Sequence, residues 1–193
     1  MSTTEPDLDS RIGTRIRVLR AGMGLTLDGL AQQAEVSRAM LSRIERGESS
    51  PTAQLLNRIC NGLGVTLSAL FAGTEAPANP LSRLADQPVW RDPGTGYQRR
   101  QVSPPNTGSS TDITEVEFPA GASVAFHTPR LGGSDQHVWV LDGTLELEIG
   151  EEAFRLQAGD CLMMRFDQPI RFRNSSARPV RYAVIICQGA TRA

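Results

Sequence analysis

The sequence predicts two domains in series: an all-α domain of five short helices, then an all-β domain of the sandwich or barrel type. Three observations predict it. Residues 10–71 carry apolar side chains at helical spacing, and residues 89–190 carry short strands separated by turn residues. Between them, residues 72–88 (AGTEAPANPLSRLADQP) hold three prolines and no clear period, which reads as a linker.

The helices follow in order. Ile12, Ile16 and Leu19 recur at i, i+4 and i+7 and mark the first. Thr26 precedes the second, where Leu27, Leu30, Ala31 and Ala34 form the inward face, and Ser37 precedes the third. Both are good N-cap residues, because their hydroxyls can accept from an otherwise unpaired N–H of the first turn. Ser50 followed by Pro51 marks the fourth, with Leu56, Ile59 and Leu63 inward. Thr66 precedes the fifth, which Leu67, Leu70 and Phe71 close.

From Val89 onward the signals are strands. They run through residues 112–118, 122–127, 136–142, 144–149, 153–156, 161–165, 170–174 and 180–187. Gly143, Gly150, the run Ala158-Gly159-Asp160 and the run Asn174-Ser175-Ser176 punctuate them. Many short strands at regular spacing build a closed or double-layered sheet.

Composition narrows the function. The 193 residues suffice for two domains, and no apolar run is long enough for a membrane helix. Residues 1–9 are polar and acidic, unlike a secretory signal. Cys60, Cys161 and Cys187 form no CxxC pair and read as buried small hydrophobes, so a cytoplasmic location is expected. The net charge is −1, yet residues 11–71 hold eight arginines (11, 15, 17, 20, 38, 43, 46 and 58) against Asp28, Glu35, Glu45 and Glu48. That segment is basic. All 20 basic residues of the chain are arginine, so arginine by itself carries little weight.

The most informative stretch is TLDGLAQQAEVSRAMLSRIERG, residues 26–47. It holds two helices joined at Glu35-Val36, with a Val36–Leu41 contact expected to set the angle of the second of them. Leu41 and Ile44 face inward, and Arg38, Ala39, Ser42, Arg43 and Arg46 share the other side. Small residues permit close approach to a major groove, and arginine can donate twice to guanine. A solvated face on an ordinary amphipathic helix would carry similar residues, and periodicity alone leaves both readings open.

The segments IGTRIRVLR, LTLDGLAQQAEVSRAMLSRIERGESSPT and LNRICNGLGVTLSALF, within residues 12–71, resemble the helix-turn-helix domain of the Cro and phage-repressor class (XRE type). The resemblance implies that residues 38–46 are a recognition helix, with Arg38, Ala39 and Arg43 at base edges. It places Thr26, Leu27, Ser37 and Arg46 at the DNA backbone. It also implies a buried ion pair between Arg20 and Glu45. Two positions depart from the pattern. Gly29 stands where an acid usually completes a capping box, and Glu35 stands where glycine usually makes the turn.

Residues 112–187 resemble the cupin superfamily of double-stranded β-helix barrels. Gly121, His127, Gln136 and Gly143 fit the spacing of the first cupin motif, and Gly159, Arg165, Asp167, Ile170 and Asn174 fit the second. Of the four metal positions this implies, His127 is kept, while Pro129, Gln136 and Ile170 replace the others. Proline and isoleucine cannot coordinate, and a neutral amide is a poor ligand for a transition metal. No metal or other cofactor is expected. A slip of one residue would instead turn His137 inward beside His127 and Asp135, but the alternation of Val138 and Val140 favours the unslipped register.

The two resemblances together imply a homodimeric DNA-binding regulator, without enzymatic activity, that reads an inverted repeat in double-stranded DNA. Its barrel would dimerise the protein and sense a small molecule through His127, Gln136 and Phe172. Gln136, Val138, Val140, Ile170, Phe172 and Asn174 are expected to face the barrel interior, as pocket lining or as filled core. The competing expectations are a metal-dependent isomerase or oxygenase tethered to a DNA-binding domain, and a barrel that serves only to dimerise.

Overall fold

The computed structural model describes residues 8–71, 79–126, 134–165 and 167–188, and the chain divides into two units, 1–74 and 75–193. The first unit holds α1 (Leu8–Gly22), α2 (Leu27–Gln33), α3 (Arg38–Glu45) and α4 (Ala53–Leu63), followed by one five-residue turn of helix, α5 (Leu67–Phe71). Ile12, Ile16, Leu30, Leu41, Ile44, Leu56, Ile59, Leu63 and Leu70 make its core, each at most 2% exposed. These are the inward positions of the helical period, so one apolar stripe per helix suffices to close the unit.

Capping hydroxyls start three of the helices. Thr26, Ser37 and Thr52 accept from the backbone N–H of Gly29, Met40 and Leu55. The fourth helix therefore begins two residues later than the Ser50-Pro51 pair suggested. Ser50 instead donates its hydroxyl to the Asp9 carboxylate of α1, so it spends its side chain on a contact with α1.

The ends of α1 to α4 share one device. The carbonyls of Arg20, Ala31, Arg43 and Cys60 accept from the N–H of Leu25, Val36, Glu48 and Val65, five residues on. The residue before each donor is left-handed: Gly24, Glu35, Gly47 and Gly64, with φ of 67°, 55°, 69° and 64°. This is the Schellman arrangement, and it satisfies carbonyls that a helix end would leave unpaired. Three of the four positions hold glycine. Gly13 has a different task, because a Cβ there would lie 2.1 Å from the Ile44 carbonyl oxygen. Its missing side chain lets α1 lie directly on the backbone of α3.

The second unit contains β1 (Val89–Arg91), β2 (Gln98–Gln101), β3 (Thr111–Phe118), β4 (Ser123–Phe126), β5 (Ser134–Asp142), β6 (Thr144–Ile149), β7 (Glu152–Gln157), β8 (Cys161–Arg165), β9 (Ile170–Arg173) and β10 (Val180–Gln188). They form a six-stranded sheet, β1-β2-β3-β10-β5-β8, and a four-stranded sheet, β4-β9-β6-β7, with antiparallel pairing throughout. The short strands β1 and β2 were not resolved as separate elements in the sequence. In the linker, residues 72–78 lie outside the described residues, and Leu84–Asp86 form one 3-10 turn.

A series of ring contacts crosses the interior from one sheet to the other. Trp90 meets Tyr97, Tyr97 meets Phe118, Phe118 meets Tyr182, Tyr182 stacks on Phe172, and Phe172 meets Phe126, with centroids 5.7 to 6.3 Å apart. Such pairs favour edge-on or offset stacking and add to area burial, so they lock the two layers in one register. Among the described residues, no helix is long and apolar enough to cross a membrane.

Candidate nucleic-acid interface and barrel interior

Helix α3 divides cleanly by exposure. Leu41 and Ile44 are fully buried and Glu45 is 7% exposed, while Arg38, Ala39, Arg43 and Arg46 are exposed and Ser42 is half-buried. Ser37 caps the helix and so fixes where its first turn begins. The sequence-predicted residues Ser37, Arg38, Ala39, Ser42, Arg43 and Arg46 thus lie together on the side of α3 away from the core. Thr26 and Leu27 start α2, with Thr26 exposed and its hydroxyl occupied by the Gly29 N–H.

The arginines of this face are not equivalent. Arg38 pairs with Asp28 of α2, Nε to Oδ1 3.0 Å, with both side chains well exposed. Arg46 grips Glu48 through two bonds of 2.6 and 2.7 Å and also donates to the Ser42 hydroxyl. The hydrogen bond from Arg46 holds the Glu48 carboxyl below its usual range, and Glu48 in turn raises Arg46. Arg43 has a softer neighbour, with Nη2 3.8 Å from the Met40 sulfur. Behind the face, Arg20 and Glu45 form the ion pair that the resemblance implied, 2.6 Å apart. Arg58 of α4 donates to the carbonyl of Glu35 and supports the turn between α2 and α3.

In the barrel, Gln136, Val138 and Val140 are buried while Trp139 is 47% exposed, so β5 adopts the unslipped register. His137 lies on the other face, opposite Met163 and Ile185. Ile170 and Phe172 are buried on β9 as expected. His127 and Pro129 fall outside the described residues. Asn174 corrects the interior reading. It is fully buried, but its amide donates to the carbonyls of Phe118, Pro119 and Arg178 and its oxygen accepts from Ser176. Asn174 braces the turns at one end of the barrel and has no capacity left for a ligand.

The two described residues at the cupin metal positions, Gln136 and Ile170, do not fit a transition metal. Ile170 presents hydrocarbon, and Gln136 presents a neutral amide. Among the described residues no group of three His, Cys, Asp or Glu side chains could hold a metal ion.

The sequence reading missed a polar group inside the barrel. Arg99 and Gln101 of β2 are 9% and 7% exposed, and Thr114 of β3 is fully buried. Arg99 donates to the Thr114 hydroxyl at 3.1 Å, and Thr114 donates to the Gln101 amide oxygen at 3.4 Å. Burial raises the nearby Asp112 carboxyl, an effect that Arg99 partly offsets. The signal was present in the sequence QRRQ, but charged residues at inward positions defeat an alternation rule. The cysteines also correct an expectation, since only Cys60 is buried while Cys187 is half-buried and Cys161 exposed.

A capped helix that turns arginines outward from a buried helical core, in series with a double-sheet β unit, is the arrangement expected of a helix-turn-helix domain with an appended barrel. A helix-turn-helix domain family matches residues 11–70, and a cupin domain family matches residues 114–186. The HTH-type transcriptional regulator SutR of Escherichia coli (strain K12) is 28% identical over 91% of this chain and 93% of its own length. The HTH-type transcriptional regulator DdrOP3 of Deinococcus deserti is 36% identical over 44% of this chain and 67% of its own length. The crystal structure of an HTH_3 family transcriptional regulator from Vibrio cholerae matches with a TM-score of 0.75 at 25% identity, covering 95% of this chain and 98% of that one. The chain belongs to the XRE-type helix-turn-helix transcriptional regulators that carry a C-terminal cupin domain, and it is a DNA-binding transcription regulator.

Proposed function

We propose that the protein acts in the cytoplasm as a homodimer that reads an inverted-repeat operator through residues 37–46, without catalysing a reaction. The working division is 10–71 for the DNA-binding domain, 72–88 for the linker and 89–190 for the barrel. The observation that carries the reading is the outward face of α3, where Arg38, Ala39, Ser42, Arg43 and Arg46 surround a helix whose other side is fully buried. Two such helices about 34 Å apart would enter successive major grooves. Arg38, Ala39 and Arg43 then meet base edges, while Thr26, Leu27, Ser37 and Arg46 hold the phosphate backbone.

The test is operator selection from random duplexes, followed by binding of Arg43→Ala. A loss of about 1–3 kcal/mol confined to one base pair per half-site supports base readout. A uniform loss over all sequences assigns Arg43 to phosphate instead.

The barrel is proposed to sense a small organic effector without metal or other cofactor, with Gln136 and His127 as its polar contacts. A second reading, dimerisation alone, draws support from the ring contacts, because Tyr182 and Phe126 already occupy two sides of Phe172. Gln136→Leu separates the two. A pocket loses effector response while DNA binding persists, whereas a filled core changes only in stability.

A further inference from the structure

The outer face of the six-stranded sheet carries an apolar stripe with no part in DNA reading or in the barrel interior. Its members line up across neighbouring strands. Ile113 lies opposite Ile185, Ile185 opposite His137, and His137 opposite Met163. On the next rung Glu115 lies opposite Ala183, Ala183 opposite Trp139, and Trp139 opposite Cys161, so this rung is apolar on three strands and charged at its β3 end. Trp139 is 47% and Met163 50% exposed. The outward side of an antiparallel strand is ordinarily polar, and a large exposed aromatic beside an exposed methionine is a departure from that pattern.

The charges lie at the margins and are matched in place. On one side of the stripe Asp135 pairs with Arg165 at 3.6 Å, and on the other Glu115 pairs with Arg181 at 3.0 Å. An apolar centre with a polar rim is the anatomy of a protein interface. Four strands about 4.8 Å apart make the stripe roughly 20 Å wide. With its flanking ion pairs, it reaches a similar length along the strands. That footprint supplies the centre of a standard interface, which buries about 800 Å² per partner.

We propose that this face is where a second copy of the chain docks. The inference rests on the homodimer reading above and names its surface. A two-fold contact demands a patch compatible with its own rotated image. Here Ile113, Ile185 and Met163 beside His137, and Trp139 beside Ala183, would meet the same side chains of the rotated copy. One flank carries Asp135 and Arg165, the other Arg181 with Glu115 and Glu117, so both margins carry both signs and the rotated copy meets no margin of a single sign. A strongly acidic or basic partner, nucleic acid included, finds no region of a single opposite sign on this face, because each arginine already has a carboxylate beside it. The edge strand β8 adds a row of backbone groups beside Met163 that the partner can cover.

The test uses the full chain in sedimentation equilibrium over a concentration series. Trp139→Glu and Met163→Glu should each convert a dimer to a monomer. Both side chains are about half exposed, so the circular dichroism spectrum of the fold should persist. Trp139→Phe should keep the dimer. A monomeric wild type would overturn both the homodimer reading and this surface. A dimeric wild type with dimeric glutamate variants would overturn the surface alone. Should the glutamate variants fail to fold, wild-type fluorescence decides. The chain has two tryptophans, and Trp90 is only 3% exposed. A red shift on dilution through the dissociation range therefore reports Trp139 and supports the proposal. An emission unchanged through dissociation would overturn it.

Discussion

Arg20 on α1 clasps Glu45 on α3 with both ends of its guanidinium, Nε to Oε1 at 2.6 Å and Nη2 to Oε2 at 2.8 Å, while Nη1 donates to the Leu25 carbonyl at 2.9 Å. The pair ties the back of α3 to α1 and to the loop that enters α2. Glu45 is 7% exposed and Arg20 16%, so the charges are largely out of water. Donation to the Glu45 carboxylate raises the pKa of Arg20, against the lowering effect of burial.

Glu45→Gln keeps the shape and removes the charge. Losing one member of a buried pair costs about 3–5 kcal/mol, because the other charge stays behind uncompensated. Arg20 retains some solvent, so the lower end of that range is expected. Urea denaturation followed at the helical unit measures it. An unchanged midpoint would mean that the pair contributes nothing to stability.

Glu35→Gly should stabilise the turn between α2 and α3. Glu35 has φ of 55° in a motif whose three other copies hold glycine. A residue with a Cβ pays roughly 1–2 kcal/mol for that conformation, and glycine loses some of the gain through unfolded-state entropy. A net gain of about 0.5–1 kcal/mol in denaturant unfolding is expected. A destabilised variant would show that the Glu35 side chain contributes more than its backbone costs.

The helical half was legible because its information is local. Thr26 and Ser37 cap where the pattern placed them, and Leu41 and Ile44 turn inward at the helical period. The start of α4 was misplaced because Ser50 and Thr52 are both competent caps, and only the contact of Ser50 with Asp9, 41 residues away, decides between them. The Arg20–Glu45 pair spans 25 residues and came from family resemblance, since no local period could reveal it. In the barrel, alternation placed Gln136, Val138 and Val140 correctly. It does not foresee Arg99 and Gln101, whose inward polar side chains bond Thr114 on the neighbouring strand and, for Gln101, Ser103 two residues on. Asn174 is buried as alternation placed it, but it lies one residue past β9 and its amide serves the turns there.

Alkaline pH should unfold the barrel, and tyrosine should report it. The chain has two tyrosines, Tyr97 and Tyr182, only 3% and 4% exposed. Burial raises both phenols above the ordinary value, Tyr182 well above it. The folded state therefore holds its protons more tightly than the unfolded chain, whose tyrosines titrate near about 10. The native state is at full advantage below that pH and loses stability as pH rises beyond it. Tyrosinate absorbance should stay low until the barrel opens, then rise together with the loss of strand signal in circular dichroism. A rise in absorbance with the sheet intact would mean that the phenols are accessible to hydroxide in the folded protein.

Asp28→Asn should tighten non-specific DNA binding and blunt discrimination between sequences. The carboxylate of Asp28 lies 3.0 Å from Arg38 at the start of α3, the helix proposed to read DNA, and both side chains are open to solvent, 74% and 67% exposed. An exposed pair of this kind adds only about 0.2–1 kcal/mol to folding, so stability should barely change. Its consequence is for binding. Asp28 places a negative charge beside the face proposed to meet phosphates, and it holds the Arg38 guanidinium in one orientation. Removing that charge favours every duplex alike, because phosphate contacts carry no sequence information. Freeing Arg38 penalises only the cognate operator, where a two-donor contact depends on orientation. A several-fold gain on random DNA, with a smaller gain or a loss on the operator, is therefore expected in titrations at two salt concentrations. Equal gains on both duplexes would show that Asp28 acts only as a charge and leaves the aim of Arg38 to the DNA. No change on either would place Asp28 beyond the interface.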